Sequence, residues 1–321
     1  MVSEVIEYFG LTRDWSQAGH FETEEFCHLF KELKVSIQLG SLIAICGIVG
    51  CGKTTLLRLI QEALTRDKEI LVSKSLSVDK GRVNLGTLIL ALFYDLATEK
   101  DFKVPSQPEK RERKLRELIK KRDKPIALFI DEAHDLHSKT LVGLKRLIEV
   151  VQDGGGTLSV VLAGHPKLKN DLRRPTMEEI GCRATVLVME GLGSSQETYI
   201  RWLLDQCTKG DPQEVMTNEA ITLLASRLST PLQIQHYFSL SLEAAHNIGQ
   251  KPVGVEIIEG VLSRTIDDME PRLTRQGYNV KVLSELLNVR SSEIKSFLHG
   301  QLSPGRTQEM KEQMLVIGIP L

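Results

Sequence analysis

The sequence has few aromatic residues and almost no net charge. Aromatics make up 5% of its 321 residues, and 41 Lys and Arg residues balance 42 Asp and Glu residues to a net charge of −1. This balance excludes a polycation that coats nucleic acid by bulk charge, and it equally excludes an acidic disordered tail. The low aromatic content disfavours a module that stacks many bases. A local basic face remains compatible with these numbers.

The sequence also has few cysteines and no long apolar run. Five cysteines are scattered without C-x-x-C spacing, so we expect no disulfide framework or zinc site and a reducing compartment. The N-terminus does not have the pattern of a secretory signal. The longest apolar stretch, around residues 42–49, is far shorter than the roughly 18 residues of a membrane span. We therefore expect a cytoplasmic protein without a membrane-spanning segment.

The apolar runs that are present predict an α/β fold. Continuous runs of this kind are typical of strands buried on both faces. They lie at 41–46, 126–130, 158–163 and 184–189, with a weaker one at 70–74. Between them, helical spacing covers 53–65, 85–98, 109–122 and 139–152. Strands that alternate with helices predict a parallel sheet sandwiched by helices.

The pattern changes near residue 193, after which the strand signal vanishes. Helical spacing covers 195–208, 217–227, 231–248 and 254–267, and Pro271 introduces a shorter helical segment. We therefore expect three domains. They are an α/β nucleotide-binding domain at 1–193, a helical lid at 194–269 and a small C-terminal domain at 270–321.

Residues 47–54 match the phosphate-binding pattern G-x-x-x-x-G-K-[ST] between a predicted strand and a predicted helix. Gly47, Gly50 and Gly52 allow backbone N–H groups to approach phosphates, and the helix N-terminus favours negative charge. Lys53 is expected to reach the β- and γ-phosphates of ATP, and the Thr54 hydroxyl is expected to bind Mg²⁺. Cys51 and Thr55 complete the predicted nucleotide-binding set. The alternative is a glycine turn that arose by chance.

The strand at 126–130 ends in Asp131 and Glu132. This is the position at which P-loop ATPases hold Mg²⁺, here through Asp131, and activate the attacking water, here through Glu132 as general base. The alternative is a solvated acidic pair. The tetrad Asp131–His134 spells the D-E-A-H of some helicases. A helicase of that type needs a second RecA-like domain, for which the helical remainder has no strand signal.

Two further residues are candidates for contact with the γ-phosphate. His165 follows the third strand, where this class of NTPase places a polar sensor, although an inconsequential loop histidine is an equal alternative. Arg183 directly precedes the last strand, where oligomeric ATPases place an arginine that acts on a neighbouring subunit. Arg173 and Arg174 are rivals for this role, and a plain surface arginine is the alternative.

The order of these features resembles an AAA+ ATPase. More narrowly, the sequence is similar to the ExeA/GspA-type group, which includes the transposition ATPases related to the phage Mu B protein, TnsC and TniB. The segments that carry this resemblance are Tyr8–Leu11, Leu162–Pro166 and Thr230–Ile234, and it covers roughly residues 5–265. Two positions depart from the group: Leu232 follows Pro231 where a sensor arginine is frequent, and His165 replaces a commoner Gln or Asn. The first departure makes slow or partner-stimulated turnover plausible.

Two segments are candidates for contact with DNA. Residues 282–300 resemble a helix-turn-helix of the Cro/repressor type, although only Lys295 is basic on the second helix and a helical bundle for protein contact is the alternative. Residues 110–124 carry nine basic and three acidic residues. As a helix in an oligomer, this segment is suited to non-specific contact with the DNA backbone, and a solvated basic helix is the alternative.

The leading hypothesis is an ATPase that uses ATP and Mg²⁺, forms a homo-oligomeric ring or filament on duplex DNA, and recruits or activates a transposase. One alternative is an assembly ATPase of the secretion type. Another is a nucleotide-switched transcription regulator. The pairing of Lys53 with Asp131 and Glu132 favours turnover over a pure switch.

Overall fold

The computed structural model describes residues 3–74, 83–97, 104–262 and 269–320. Within these residues, five strands form one sheet. They are β1 (Leu42–Gly47), β2 (Leu71–Lys74), β3 (Ile126–Ile130), β4 (Leu158–Gly164) and β5 (Ala184–Met189).

The described helices lie before, between and after these strands. The first eight are α1 (Ser3–Phe9), α2 (Glu24–Gln38), α3 (Lys53–Asp67), α4 (Leu85–Leu96), α5 (Pro108–Arg122), α6 (Ser138–Asp153), α7 (Pro166–Leu172) and α8 (Glu178–Gly181). After β5 follow α9 (Gln196–Cys207), α10 (Asn218–Arg227), α11 (Pro231–Ile248), α12 (Val255–Val261), α13 (Met269–Arg275), α14 (Val280–Leu287), α15 (Ser291–Leu298) and α16 (Pro304–Val316). The last part of the helix predicted at 254–267, residues 263–267, lies outside the described residues.

The sheet is parallel throughout, with the order β2-β3-β4-β1-β5. The predicted α/β fold is therefore confirmed. Every residue of β1, β3 and β4 is buried, whereas the edge strands β2 and β5 are partly exposed. This explains why the three central strands have the strongest apolar runs and why the run at 70–74 is weak, since only a strand covered on both faces needs apolar residues throughout.

The order of strands determines where the site lies. β3, β4 and β1 are neighbours, with Ile130 beside Leu162 and Cys46 beside Gly164. The loops that follow these three strands therefore leave the same edge of the sheet. In parallel α/β sheets, this carboxyl edge is where ligands bind.

The chain divides into two compact units. One comprises residues 25–47 and 53–189 and contains the sheet, whose core includes Leu128, Val160 and Leu162. The other comprises residues 1–24, 48–52 and 190–321. The boundaries at 193 and 269 inferred from sequence stay a prediction.

In the second unit, the N-terminal segment packs against helices that follow β5. Leu11 forms a β-bridge with Thr208, and the Trp15 ring stacks on Phe238 with centroids 4.6 Å apart. Phe9 is also buried in this core. The segment around Tyr8–Leu11, which carries part of the family resemblance, thus has a packing role.

The C-terminal helices of the same unit have a separate apolar core that includes Leu283, Ile294 and Phe297. Between α14 and α15, Asn288 adopts the left-handed conformation with φ 52°, as expected for a short-side-chain residue at this turn. The Ser284 hydroxyl donates a hydrogen bond to the Val289 carbonyl across 2.6 Å and so closes the turn.

Candidate nucleotide-binding site

The loop between β1 and α3 has the backbone that a phosphate-binding loop requires. Gly50 and Gly52 have φ values of 80° and 106°, which side-chain-bearing residues rarely adopt. Gly50 also lies in close contact with the start of α11, because a Cβ added to it would be 2.4 Å from the Leu232 Cβ. Leu232 N–H donates to the Gly50 carbonyl across 3.4 Å. Position 232, where the group that the sequence resembles often has arginine, therefore lies against this loop.

The loop has a second partner that the sequence did not reveal. Val49 N–H donates to the Arg275 carbonyl at the end of α13, across 3.0 Å. The C-terminal segment therefore contacts the predicted phosphate-binding loop directly. A main-chain contact between residues so far apart in sequence leaves no side-chain pattern from which to predict it.

Lys53 and Thr54 open α3. The Lys53 side chain is buried, and its Nζ donates to the Gly47 carbonyl across 2.8 Å. An ammonium group has three donors, so Nζ is suited to bind phosphate oxygens from this position as well. Thr54 has an exposed position, and its hydroxyl donates to Asp131 Oδ2 across 2.9 Å.

Asp131 and Glu132 follow β3, as predicted. The second carboxylate oxygen of Asp131, Oδ1, accepts a hydrogen bond from the Glu132 backbone N–H across 2.9 Å. Asp131 is thus held at both oxygens, one by Thr54 and one by Glu132. Glu132 has a φ of 54°, and its side chain is 46% exposed. An outlier of this kind in a side-chain-bearing residue is frequent at functional sites.

The Thr54 and Asp131 pair fits a magnesium ion. Since the Thr54 hydroxyl donates its hydrogen bond to Asp131, its oxygen lone pairs remain for a hard cation. Carboxylate and hydroxyl oxygens are ligands that Mg²⁺ prefers. Asp131 would then either bind the ion directly or accept a hydrogen bond from a water molecule bound to it. The structure brings these two sequence-predicted residues together.

His165 lies beside Glu132, together with His134, which the sequence analysis did not propose for the site. His165 Nε2 lies 3.9 Å and His134 Nδ1 lies 3.4 Å from Glu132 Oε2. The two imidazole rings stack with centroids 3.8 Å apart and an angle of 23° between planes. The backbone N–H of His165 also points to His134 Nδ1 across 3.5 Å, at the limit of a hydrogen bond.

Both histidines are neutral near pH 7. Burial lowers the pKa of His165 to about 4, and His134 and Lys53 lower it further by charge repulsion. Burial likewise lowers the pKa of His134, against the opposing effect of the Asp135 and Glu132 carboxylates. A neutral imidazole at the end of β4 is suited to donate one hydrogen bond to a phosphate oxygen, as expected for a sensor.

Glu132, His134 and His165 also offer three ligand atoms that lie within 4.8 Å of one another, a spacing that would suit a metal ion. The stacked rings argue against that use. A metal binds a histidine nitrogen in the plane of its ring, and an ion in the plane of one stacked ring lies well outside the plane of the other. The arrangement therefore matches a carboxylate flanked by two imidazoles better than a metal site.

The arginine candidates lie at the end of α7 and directly before β5. Arg183 precedes β5 and therefore lies at the amino edge of the sheet, about 20 Å along the strand from the carboxyl edge. Its side chain is 61% exposed, and Nη1 pairs with Glu149 Oε1 at 2.5 Å. Arg174 pairs with Asp171 at 2.9 Å, whereas Arg173 is exposed. Each of these positions is compatible with action on a neighbouring subunit, and the choice among them stays open.

The basic segment at 110–124 largely forms α5, but part of its charge is used internally. Arg111 and Arg122 donate to backbone carbonyls of Pro105, Ser106 and Leu96, and Lys124 donates to the Lys68 carbonyl. The buried side chains of Leu115 and Ile119 attach the helix to the core. The exposed face retains Lys110, Arg116 and Lys120. The available positive face is thus smaller than the count of nine basic residues indicates.

The acidic residue of α15 is also neutralised within the fold. Glu293 Oε1 accepts a hydrogen bond from Arg306 Nε across 2.7 Å, and the same guanidinium binds Glu309. An unpaired Glu293 carboxylate would repel a phosphate group. Its pairing with Arg306 reduces that repulsion.

No helix in the described part of the chain is both long enough and apolar enough to cross a membrane.

Comparison with known proteins gives one family match and one related protein. Residues 37–172, which include the phosphate-binding loop, Asp131, Glu132 and His165, match the family described as AAA domain. The chain is also similar to general secretion pathway protein A of Aeromonas hydrophila, with 26% identity over 194 residues. That match covers 58% of this chain and spans only 33% of the relative's length.

Solved structures share the fold over nearly the whole chain. The ORC2 protein of Aeropyrum pernix, solved in ADPNP and ADP complexes, matches with a TM-score of 0.57 and 12% identity, over 96% of this chain and 91% of that one. Drosophila ORC bound to DNA matches with a TM-score of 0.55 and 15% identity, over 98% and 83% of the two chains. The fold of this chain is therefore that of AAA+ ATPases, and its residues 37–172 match an AAA domain.

Proposed function

We propose that this protein is an ATP-hydrolysing AAA+ ATPase that assembles on duplex DNA and recruits or activates a transposase. The observation that carries the ATPase proposal is the linked group of Thr54, Asp131 and Glu132 at the carboxyl edge of the sheet. It has the donor set for Mg²⁺ and, one residue beyond, a half-exposed carboxylate for the attacking water.

In this proposal, backbone N–H groups of Gly50, Cys51 and Gly52, together with the start of α3 at Lys53, Thr54 and Thr55, bind the phosphates. The Lys53 ammonium binds the terminal phosphates, and Thr54 and Asp131 hold Mg²⁺. The ion, when bound, neutralises phosphate charge. Glu132 accepts the proton of the attacking water, and His165 donates a hydrogen bond to the γ-phosphate.

Arg183 has the role of a cation that acts on the nucleotide of a neighbouring subunit. This assignment makes hydrolysis depend on a homo-oligomer, either a ring or a filament. The leucine at position 232 removes one cation that relatives often supply, so turnover is expected to be slow or stimulated by a partner.

The DNA part of the proposal rests on the exposed face of α5. A near-neutral chain binds DNA only through local charge, and the repetition of Lys110, Arg116 and Lys120 in an oligomer multiplies a weak contact. The fold shared with Drosophila ORC, which was solved bound to DNA, is compatible with this use.

A second candidate is an assembly ATPase of the secretion type. The similarity to general secretion pathway protein A favours it. Duplex DNA distinguishes the two candidates, since only the first requires assembly on it.

The test is ATP hydrolysis and ATP-dependent assembly on duplex DNA, measured by phosphate release and electron microscopy. We expect Glu132→Gln to lower the hydrolysis rate by about tenfold or more while it retains ATP binding. If this variant hydrolyses ATP at the wild-type rate, Glu132 is not the general base. Failure to assemble on DNA with ATP would remove the transposition proposal. If a DDE-type transposase is encoded beside this gene and this protein stimulates its strand transfer, that transposase is the partner.

A further inference from the structure

His134 lies between the proposed base and the proposed sensor. Its Nδ1 lies 3.4 Å from Glu132 Oε2, and its Nε2 lies 3.7 Å from Asp135 Oδ1. His134 Nδ1 lies within reach of two partners that need opposite tautomers. It accepts from the His165 backbone N–H at 3.5 Å only when it carries no proton, and it donates to Glu132 only when it does. The shorter distance and the charged acceptor favour the tautomer with the proton on Nδ1, which faces Glu132.

The surroundings hold His134 more firmly than they hold Glu132. The His134 side chain is only 10% exposed, and its ring stacks on His165. Gly164 makes this approach possible, because a Cβ there would lie 3.1 Å from His134 N. Lys167 Nζ donates to the His134 carbonyl across 3.5 Å.

Glu132 has the opposite character. Its side chain is 46% exposed and follows a backbone in the left-handed region. A long, exposed side chain loses rotamer freedom when it is held in one place, so a general base at this position needs a fixed neighbour. His134 and His165 are the two imidazoles that face it, and His134 is the nearer.

We propose that His134 is a positioning residue, whose Nδ1 side holds the Glu132 carboxylate in place and whose stacked ring ties that carboxylate to the end of β4. This inference rests on the proposed role of Glu132 as the base for ATP hydrolysis. It assigns His134 to the site as a residue that acts through Glu132.

The choice of nitrogen makes the proposal testable by two conservative variants. The side-chain amide nitrogen of asparagine matches the position of Nδ1, and that of glutamine matches Nε2. His134→Asn therefore retains a donor toward Glu132, whereas His134→Gln retains one toward Asp135. We expect His134→Ala and His134→Gln to lower the kcat of ATP hydrolysis by about 10- to 100-fold, and His134→Asn to recover most of the lost rate.

Three further measurements separate positioning from a structural effect. The KM for ATP and the affinity for a fluorescent ATP analogue should stay at the wild-type value in all three variants. In a Glu132→Gln background, His134→Ala should cause no further loss of rate. His28→Ala, at a histidine that is 79% exposed on α2, is the matched control and should change nothing.

Equal rates in the Asn and Gln variants, or an additive loss in the double variant, would overturn the proposal. The comparison of Asn with Gln stands even if the alanine variant unfolds, which thermal denaturation detects. If Glu132→Gln itself hydrolyses ATP at the wild-type rate, the proposed base is wrong and this inference fails with it. If only Glu132→Gln is impaired and every His134 variant is fully active, this inference alone fails.

Discussion

The Cβ of Leu232 occupies the space beside Gly50 in which a Cβ at position 50 would have to lie. Gly50 combines this close approach with a φ of 80°. We expect Gly50→Ala to weaken ATP binding by about tenfold or more, because the strained conformation alone costs about 1–3 kcal/mol and the clash adds to it. Fluorescent nucleotide titration measures the affinity.

Two variants separate the clash from the strain. Leu232→Ala should not rescue Gly50→Ala, because the 2.4 Å contact involves the Cβ, which alanine retains. Gly249→Ala is the matched control, since Gly249 has a φ of 70° with nothing within 4 Å of an added Cβ. Urea unfolding compares the two glycine variants. Gly50→Ala should lose more stability than Gly249→Ala, and equal losses would show that the contact with Leu232 adds nothing to the strain.

Leu232→Arg tests the departure from the family pattern. Leu232 is 53% exposed, so its replacement should cost little stability, and its main chain already contacts the phosphate-binding loop. A cation introduced there should strengthen ATP binding by roughly tenfold, the effect of a charge-assisted hydrogen bond of about 1.5 kcal/mol or more. Leu232→Gln, which adds length without charge, is the control. An unchanged affinity in the arginine variant would contradict the prediction.

The arginine that acts in trans can be found by mixing two inactive variants. In the proposed mechanism, Lys53→Ala loses ATP binding but retains Arg183, whereas Arg183→Ala binds ATP but lacks the cation. We expect the mixture to hydrolyse ATP faster than either variant alone. Mixed oligomers contain interfaces at which one subunit supplies an intact Lys53 and its neighbour supplies an intact Arg183. A cation of this kind contributes about 10³-fold or more to the rate. The same mixture with Arg173→Ala or Arg174→Ala is the comparison. Recovery with one of these and not with Arg183→Ala would transfer the role to that residue.

Acid should destabilise the unit that contains His165. The folded pKa of about 4 lies below the ordinary value of 6.5, so the unfolded chain binds more protons between these values. The free energy of unfolding should therefore decrease as the pH falls from about 6.5 to 4, by roughly 3 kcal/mol from this group. Urea unfolding at several pH values measures this decrease. His165→Gln should reduce it, and an equally steep decrease in that variant would assign it to other groups.

DNA binding should depend on the exposed charges of α5. Replacement of Lys110, Arg116 and Lys120 by alanine should weaken binding to every duplex sequence. It should also reduce the slope of log affinity against log salt by about 0.9 for each lost phosphate contact. The matched control is a second triple alanine variant, which removes three positive charges at the exposed positions Lys31, Arg58 and Lys139. Equal losses in the two triple variants would indicate bulk charge in place of a local surface.

The sequence predicted the fold where burial on both faces imposes a pattern. The central strands and the long helices α3, α6 and α11 lie within a few residues of their predicted bounds. The short helices α7 and α8 escaped prediction because they have too few turns to establish a helical period. The proximity of Thr54 and Asp131 was predictable because phosphate and Mg²⁺ demand particular groups at fixed spacing.

The remaining parts of the site depend on contacts between distant loops. His134 and His165 come together because β3 and β4 are neighbours in the sheet, a fact that periodicity does not contain. The internal pairing of Glu293 with Arg306 was missed for the same reason, since it joins two helices through side chains whose directions only the fold defines.

The hydrogen bond between Val49 N–H and the Arg275 carbonyl uses main-chain atoms alone. Any residue at position 275 supplies that carbonyl, and any residue except proline at position 49 supplies that N–H. Relatives are therefore free to vary at both positions and still retain the contact, which leaves no trace in substitution patterns or co-variation. A proline at the position of Val49 is the one change in a related sequence that would reveal its loss.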